Sequence, residues 1–357
     1  HRHQPQVLPQ TPMRIFLREN AVVLALLVSG PLVIVLGWGI LGITSYLLFV
    51  FVLSLLIAGL KLQMPNRRLI LESITISHYV EKVRWSLDIL GIDYVEEESC
   101  GILGVVLLGR LIPAIRQGPT RVSGSNFILR YLYGKYAGTE EQSETENKLG
   151  KGKENNRESG IRKSEFLKPS LQALELEKEF DKMGDYIRNY LYTDVLVVNK
   201  TRKNPMQDYL SFWGYYQPSI PYWQRILLKV SMPVLLVFMK KALKLNPKHA
   251  SERLILAKEV FTKVDALLKD GRKYLMKTDY PTFVDVTFAA LAAPLLTLEK
   301  YTGGRARKES SLKREMMTPQ AQKESDMFRD RPCGKFVLQM YEEHRQIREP
   351  PPSPESF

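Results

Sequence analysis

From Ala21 to Leu60 the chain reads AVVLALLVSGPLVIVLGWGILGITSYLLFVFVLSLLIAGL, without one charged residue. Water offers such a stretch almost nowhere to go, so it constrains the fold more than any other feature. As one helix it would rise about 60 Å, roughly twice the hydrocarbon thickness of a bilayer. Gly37-Trp38-Gly39 offers a break near the middle, which leaves two arms close to the ~20 residues a span requires. Arg14 and Arg18 precede the first arm, and Lys61, Arg67 and Arg68 follow the second. A hairpin sets all five on one side, as the positive-inside bias favours. The sequence therefore predicts a transmembrane helical hairpin over 21–62, in contact with membrane lipid, after a polar N-terminal segment over 1–20. A single tilted or broken span and a buried soluble hairpin are the alternatives. The run is too long for a simple signal peptide, and a start at His1 leads us to expect a segment cut away before it.

Charge narrows the partners. With 51 Lys and Arg against 38 Asp and Glu, the chain carries a formal net charge of +13. Such a balance attracts nucleic acid, anionic lipid or acidic substrates. No nucleic-acid module and no regular alternation of aromatic and basic residues is present, so nucleic acid is not expected as a partner. Anionic headgroups suit a chain with a membrane segment. The two cysteines, Cys100 and Cys333, and the five histidines show no metal-ligand spacing. No metal and no disulfide framework are expected. These traits predict an integral protein of an organellar membrane or endomembrane, its globular part on a reducing side.

After Pro65 the pattern changes. RLILESI (Arg68 to Ile74) is strand-like, and HYVEKVRWSLDIL places Val80, Val83 and Leu87 at helical spacing as core. Gly91 should stop that helix. IDYVEEES is a second strand, RLIPAIRQG and TRVSG form a β-pair, and SNFILRYLYGKYA is a helix with Ser125 near its N-cap. The order is β-α-β, a connector, then β-β-α, one α/β domain over 66–137. Residues 138–165 are polar, with acids and bases nearly balanced, and read as a disordered linker. From Phe166 to 348 the chain reads as helices, broken by a polar insertion over 303–330. The tail over 349–357 is disordered by composition.

YWQRILLKVSMPVLLVFMKKALKL (Tyr222 to Leu245) is too short between Lys229 and Lys240 to span a bilayer. It is either a buried bundle helix or a membrane-surface helix with snorkelling lysines. The aromatics before it, YLSFWGYYQPSIPYW, suit a hydrophobic substrate pocket or a partner surface.

Four local patterns, in this order, resemble the glutathione S-transferase superfamily. SHYVEKVRWSLDILGIDY is similar to that family's first helix. LIPAI stands where the family has Val-Pro-x-Leu with a cis proline. GSNFILRYL matches Glu/Asp-Ser-x-x-Ile-x-x-Tyr-Leu, and GRKYLMKTDYPTFVDVTFAALAAPLL its late Thr-x-x-Asp segment. The resemblance covers about Arg68 to Arg345 outside the two polar insertions. It implies an α+β chain: a thioredoxin-like α/β domain followed by an all-α helical domain, here preceded by the transmembrane hairpin.

The resemblance also implies a site that takes glutathione as co-substrate. Ser77 falls where Ser-type members hold the glutathione sulfur, and a hydroxyl at a helix N-terminus favours thiolate over thiol. Ser77 reads equally as a plain N-cap. Tyr79 is a rival donor in a slot that normally holds a packed aromatic, and His78 stands where the family has Pro. The Ile112-Pro113 bond is expected to be cis, either pairing the ligand's backbone through Ile112 or kept for structure alone. Ser125 would grip the γ-glutamyl carboxylate, but Gly124 replaces the acid that answers its ammonium. Arg116 and Arg121 stand near the glycyl end and are otherwise solvated hairpin arginines. Thr282 and Asp285 form a structural capping box. The expected function is a membrane-anchored glutathione S-transferase-like protein that conjugates or binds glutathione with an apolar electrophile. The alternative is a non-catalytic scaffold or accessory subunit of an organellar membrane complex. A homodimer and a larger membrane complex are the assemblies left open.

Overall fold

Leu69–Ser73 (β1) buries all 5 of its residues, and that burial puts it inside a sheet. In the computed structural model, which describes residues 68–347 except 75, 102–111, 149–161, 201, 203 and 306–311, its neighbours are defined. Tyr94–Glu98 (β2) runs parallel to β1, and Ala114–Gln117 (β3) antiparallel to it. Thr120–Ser123 (β4) pairs antiparallel with β3, giving the order β2-β1-β3-β4. Parallel neighbours need a crossover, which helix α1, His78–Ile89, supplies. Gly91 stops α1 as expected. At φ 60° it takes the left-handed backbone that lets its N–H reach Asp88 O at 3.1 Å and Ile92 N–H reach Leu87 O at 3.0 Å. The sheet domain is thioredoxin-like, and a helical domain follows it, as the resemblance implies.

Helix α2, Ser125–Lys148, closes the sheet domain. It corrects the linker expected over 138–165, because the helix continues well past residue 138. Glu140, Glu141, Gln142, Glu144, Glu146 and Lys148 are polar but good helix formers, so a helix already nucleated in the core carries on through them. A short helix α3, Lys163–Phe166, occupies the other end of that segment, with Phe166 fully buried.

The helical domain contains α4 (Leu171–Thr193), which ends in a π-turn at Asp194–Val198, then α5 (Pro205–Phe212) and α6 (Tyr222–Ala242). After them come α7 (Pro247–Leu268), α8 (Phe283–Leu296), α9 (Pro319–Asp330) and α10 (Pro332–His344). Every residue of α8 except Pro294 is buried. A helix apolar on all faces must be enclosed, and α1, α4 and α10 enclose this one.

Helix α9 corrects the second insertion. The stretch 303–330 is polar overall, yet Ala321 and Phe328, two turns apart on α9, are buried. Phe328 stacks on Phe261 of α7 with ring centroids 4.2 Å apart. Thr318 caps the helix and Pro319 opens it. Glu324 and Ser325 on the same side are buried with them, and Glu324 meets Lys258 of α7 at 2.6 Å.

A second core forms where α5, α6 and the π-turn meet Ile76 and Cys100 of the sheet domain. Helix α6 packs one side there, as the buried-bundle reading of Tyr222 to Leu245 expects, and leaves the other side exposed. The hairpin over 21–62, the segment over 1–20 and the tail over 349–357 lie outside the described residues. Among the described residues no helix is long and apolar enough to cross a membrane.

Charged side chains bind the two halves together. Glu81, Lys82 and Arg84 of α1 are fully buried. Arg84 donates to Glu81 at 2.9 Å and to Glu96 at 2.5 Å, and Arg305 meets Glu96 at 3.2 Å. Arg345 donates to Glu81 at 2.7 Å and Asp88 at 2.6 Å. Three carboxylates thus face three guanidiniums. Burial alone would push the Glu96 carboxyl up, but Arg84 and Arg305 outweigh it and hold it below the usual carboxylate range. Lys82 meets Glu177 at 2.8 Å and Asp181 at 3.1 Å on α4.

Candidate functional site

Ser77 sits in extended backbone at the N-terminus of α1, where its Oγ accepts the Val80 N–H at 3.4 Å. That bond uses an oxygen lone pair and leaves the hydroxyl proton to be donated elsewhere. Ser77 is half-buried and lines a cavity of about 310 Å³ between the two domains. Ile74, Ile76, His78, Tyr79, Gly101 and Ile112 form the sheet-domain wall. Leu191, Tyr192, Val195 and Leu196 form the α4 wall, with Phe212, Trp213, Met239 and Leu243 beside them. Ala293, Pro294, Leu298, Tyr301 and Leu312 complete a lining that is mostly aliphatic and aromatic. Such a space takes an apolar group and offers few polar atoms to orient it.

The polar groups near Ser77 are largely committed. Tyr79 donates its hydroxyl to Asp181 O at 2.7 Å and stands 3.0 Å from Asp185 Oδ1. Burial, and then the Asp185 carboxylate, hold its phenol well above the ordinary range. Tyr79 therefore keeps its proton and directs it at α4. His78 is buried, its ring 4.4 Å from that of Tyr79, and its Nε2 has no hydrogen-bond partner among the described residues. Burial first, and Arg188 second, lower its pKa to about 3, so the imidazole is neutral at physiological pH. Gly184 makes this packing possible. A Cβ there would lie 3.2 Å from Tyr79 Oη and 3.3 Å from His78 Nε2. Tyr301 donates to Ile76 O at 2.8 Å and ties the loop before Ser77 to the helical domain.

The Ile112-Pro113 bond is cis, and Gly124 N–H donates to Pro113 O at 2.9 Å. Ser77, His78, Tyr79 and Ile112 all meet at the cavity, while Pro113, Gly124 and Ser125 do not line it. Ser125 is buried at the first turn of α2. Gly124 holds φ +92°, and a Cβ there would meet Phe127 Cδ2 at 3.2 Å. Any L side chain at Gly124 would be strained.

Two expectations about arginines need correction. Arg116 is buried and bonded to Glu97 at 3.0 Å, with Glu72 at 3.5 Å, and Arg121 bonds Glu72 at 2.8 Å. Glu72 on the central strand is buried and draws both guanidiniums inward. Thr282 and Asp285 form the expected box, Thr282 N–H meeting Asp285 Oδ2 at 2.7 Å, and Asp285 also accepts Leu275 N–H at 2.7 Å.

Sequence reasoning passed over Arg188, Tyr192, Thr297 and Tyr301. Phe212 and Trp213 belong to the aromatic run already marked as a pocket or partner surface, and they line the cavity. Among the described residues Arg188 alone brings a positive charge to the cavity lining, paired with Asp185 at 2.7 Å. Nothing local marks it, because its position on α4 matters only once α1 packs there. Cys100 is buried, and burial pushes its thiol up to about 12, so it is no nucleophile. Among the described residues no group of three His, Cys, Asp or Glu is placed to hold a metal ion.

No family model matches the sequence, and no curated protein matches it. Among solved structures, a rice GST in complex with glutathione shares 13% identity over 81% of this chain and 94% of that one, with a TM-score of 0.37. A glutathione transferase family member from Pseudomonas fluorescens with two glutathione bound shares 15% over 77% and 94%, TM-score 0.35. Glutathione transferase Omega 3C from Trametes versicolor shares 11% over 78% and 92%, TM-score 0.34. Superpositions this loose leave the function to be argued from the cavity itself.

Proposed function

We propose that the chain binds glutathione at the sheet-domain side of the cavity and joins its sulfur to an apolar electrophile held by the helical side. One observation carries this reading: a hydroxyl at a helix N-terminus opens onto an apolar interdomain cavity. The thiol has an unperturbed pKa of about 8.5 and is mostly protonated at neutral pH. A hydrogen bond from Ser77 to the thiolate, helped by the α1 dipole, favours ionisation. The sulfur then bonds the electrophilic carbon, and the leaving group departs with its electron pair. Ile112, next to the cis proline, would offer backbone to the tripeptide, and Ser125 its hydroxyl to the γ-glutamyl carboxylate. The hairpin over 21–62, built on the charge-free run from Ala21 to Leu60, would anchor this unit in an organellar membrane or endomembrane, with the cavity on a reducing side.

A second reading has its own support. Gly124 supplies no acid for the γ-glutamyl ammonium, and Arg116 and Arg121 are already paired with Glu72 and Glu97. A scaffold that kept the fold without the chemistry would look like this, as a subunit of a membrane complex. Retention of the full chain on glutathione-agarose, with transfer to 1-chloro-2,4-dinitrobenzene, separates the two. The first reading expects elution by free glutathione and measurable conjugation. A chain that neither binds nor transfers belongs to the scaffold reading.

A further inference from the structure

Helix α6 has two apolar sides, and the second core uses only one. Leu228, Met232, Leu235, Leu236 and Met239 are buried. Tyr222, Ile226, Val230, Val234 and Val237 follow one another at intervals of three or four residues, which makes a single stripe along the helix. All five are exposed, Val230 at 74% and Val234 at 72%, with Phe238 beside them. A helix that merely closes a core carries polar residues there.

The surrounding charge is of one sign. From Tyr209 to Ser251 there is no Asp or Glu, while Arg225, Lys229, Lys240, Lys241, Lys244 and Lys248 all fall in that stretch. Lys229, Lys240, Lys241 and Lys244 are exposed, and among the described residues none of the four meets a carboxylate. An apolar stripe bordered by unanswered lysines matches a surface that is apolar inside and anionic at its edge. Two copies face to face would set these lysines against each other. The chain's own run from Ala21 to Leu60 has no charge with which to answer them.

We propose that α6 lies along an anionic lipid surface, its stripe at the headgroup boundary and its lysines on the phosphates. This docking is separate from any anchoring by residues 21–62 and does not depend on the glutathione reading. Because Met239 of α6 also lines the cavity, the helix resting on the bilayer is one of the cavity's walls.

The test uses the full chain with Val234→Cys, labelled with an environment-sensitive nitrobenzoxadiazole dye. Cys100 and Cys333 are both buried, so the dye goes to the introduced thiol. Val230→Cys serves as an independent second site, and Met327→Cys on the exposed side of α9 as the control. In vesicles of phosphatidylcholine with phosphatidylglycerol, dyes at 234 and 230 should shift to the blue and escape iodide quenching, and the dye at 327 should not. In phosphatidylcholine alone all three should stay open to iodide. Replacing Lys240 and Lys241 together by Gln should lower the ratio of protected to open dye about thirty-fold. Open dye at 234 and 230 in anionic vesicles overturns the proposal. So does equal protection in both vesicle types, which would mean the lysines do not engage headgroups. Protection before any vesicle is added overturns it as well, since the face would then be covered by protein.

Discussion

A Ser77→Ala substitution removes two things at once, a helix cap and the proposed donor to the glutathione sulfur, and they read out differently. The cap is worth about 1 kcal/mol of stability, a small part of the whole. The charge-assisted bond is worth about 1.5–3 kcal/mol, so transfer at neutral pH should fall roughly ten- to hundred-fold. That defect should shrink as pH rises, because the thiol then ionises unaided, and a pH-rate profile of both proteins checks it. A flat defect across pH would leave Ser77 as a cap only. His78 gives a second, separate handle. Its folded pKa, near 3, lies below the ordinary 6.5, so it contributes stability that is present above pH 6.5 and lost as pH falls toward 3. The loss should run at about 1.4 kcal/mol per pH unit, roughly 2 kcal/mol by pH 5. His78→Phe should abolish that decline between pH 6.5 and 5, and should cost little at pH 7.5 because it removes a buried nitrogen without a partner. Urea midpoints across this range would show it, and an unchanged slope would place the titration elsewhere.

At the scale of elements, caps and stops were legible and insertions were not. Ser77, Gly91 and the Thr282–Asp285 pair act within a turn or two of themselves, so sequence spacing reveals them, whereas the Thr318 cap went unread inside the polar stretch that holds it. The polar stretches 138–165 and 303–330 misled because composition averages over a window. Helix α9 buries just two apolar side chains, Ala321 and Phe328, beside the polar Glu324 and Ser325, and a window mean hides two residues. Asp285 shows how much one cap can hold at a buried position. It satisfies Thr282 N–H, Thr282 Oγ1 and Leu275 N–H together, each at 2.7 Å. Asp285→Ala should therefore cost more than an exposed cap, about 2–4 kcal/mol, since backbone donors are left buried without acceptors. Equilibrium unfolding in urea measures this, and a loss under 1 kcal/mol would mean that water replaces the carboxylate.

For the whole molecule, the decisive contacts join residues far apart in the chain. Arg345 reaches back to Glu81 and Asp88 across the domain boundary and lies fully within the interior. Arg345→Ala should destabilise by about 3–5 kcal/mol, because it leaves buried Glu81 with Arg84 as its remaining guanidinium and Asp88 with the Tyr94 hydroxyl in place of a cation. Adding Glu81→Gln should restore part of that loss, a coupling that a double-mutant cycle in urea would detect. Additive losses would show that Arg345 acts through packing on Trp85, which its guanidinium faces at 5.7 Å. The same geometry explains why the cavity was only half foreseen. Its sheet-domain wall follows from Ser77 and Ile112, but Leu191, Met239 and Leu298 join it from helices whose packing no local pattern states.

The sequence by itself determined the order of strands and helices in the sheet domain and residues such as Ser77 and Gly91 that start and stop helices, while the cis bond at Ile112-Pro113 was expected from the family resemblance. Order, starts and stops rest on interactions within a few residues, which periodicity and spacing record directly. Tertiary structure alone decided that Glu81, Lys82 and Arg84 are buried, that Arg116 and Arg121 turn inward to Glu72, and that one side of α6 stays open. Charged residues on a short amphipathic helix read as a solvated face until another element covers them. For Glu81 the cover includes Arg345, 264 residues away, and for Lys82 it is Glu177 and Asp181 of α4. Which side of an amphipathic helix meets the core, and whether a charge finds its partner there, is set by that distant chain.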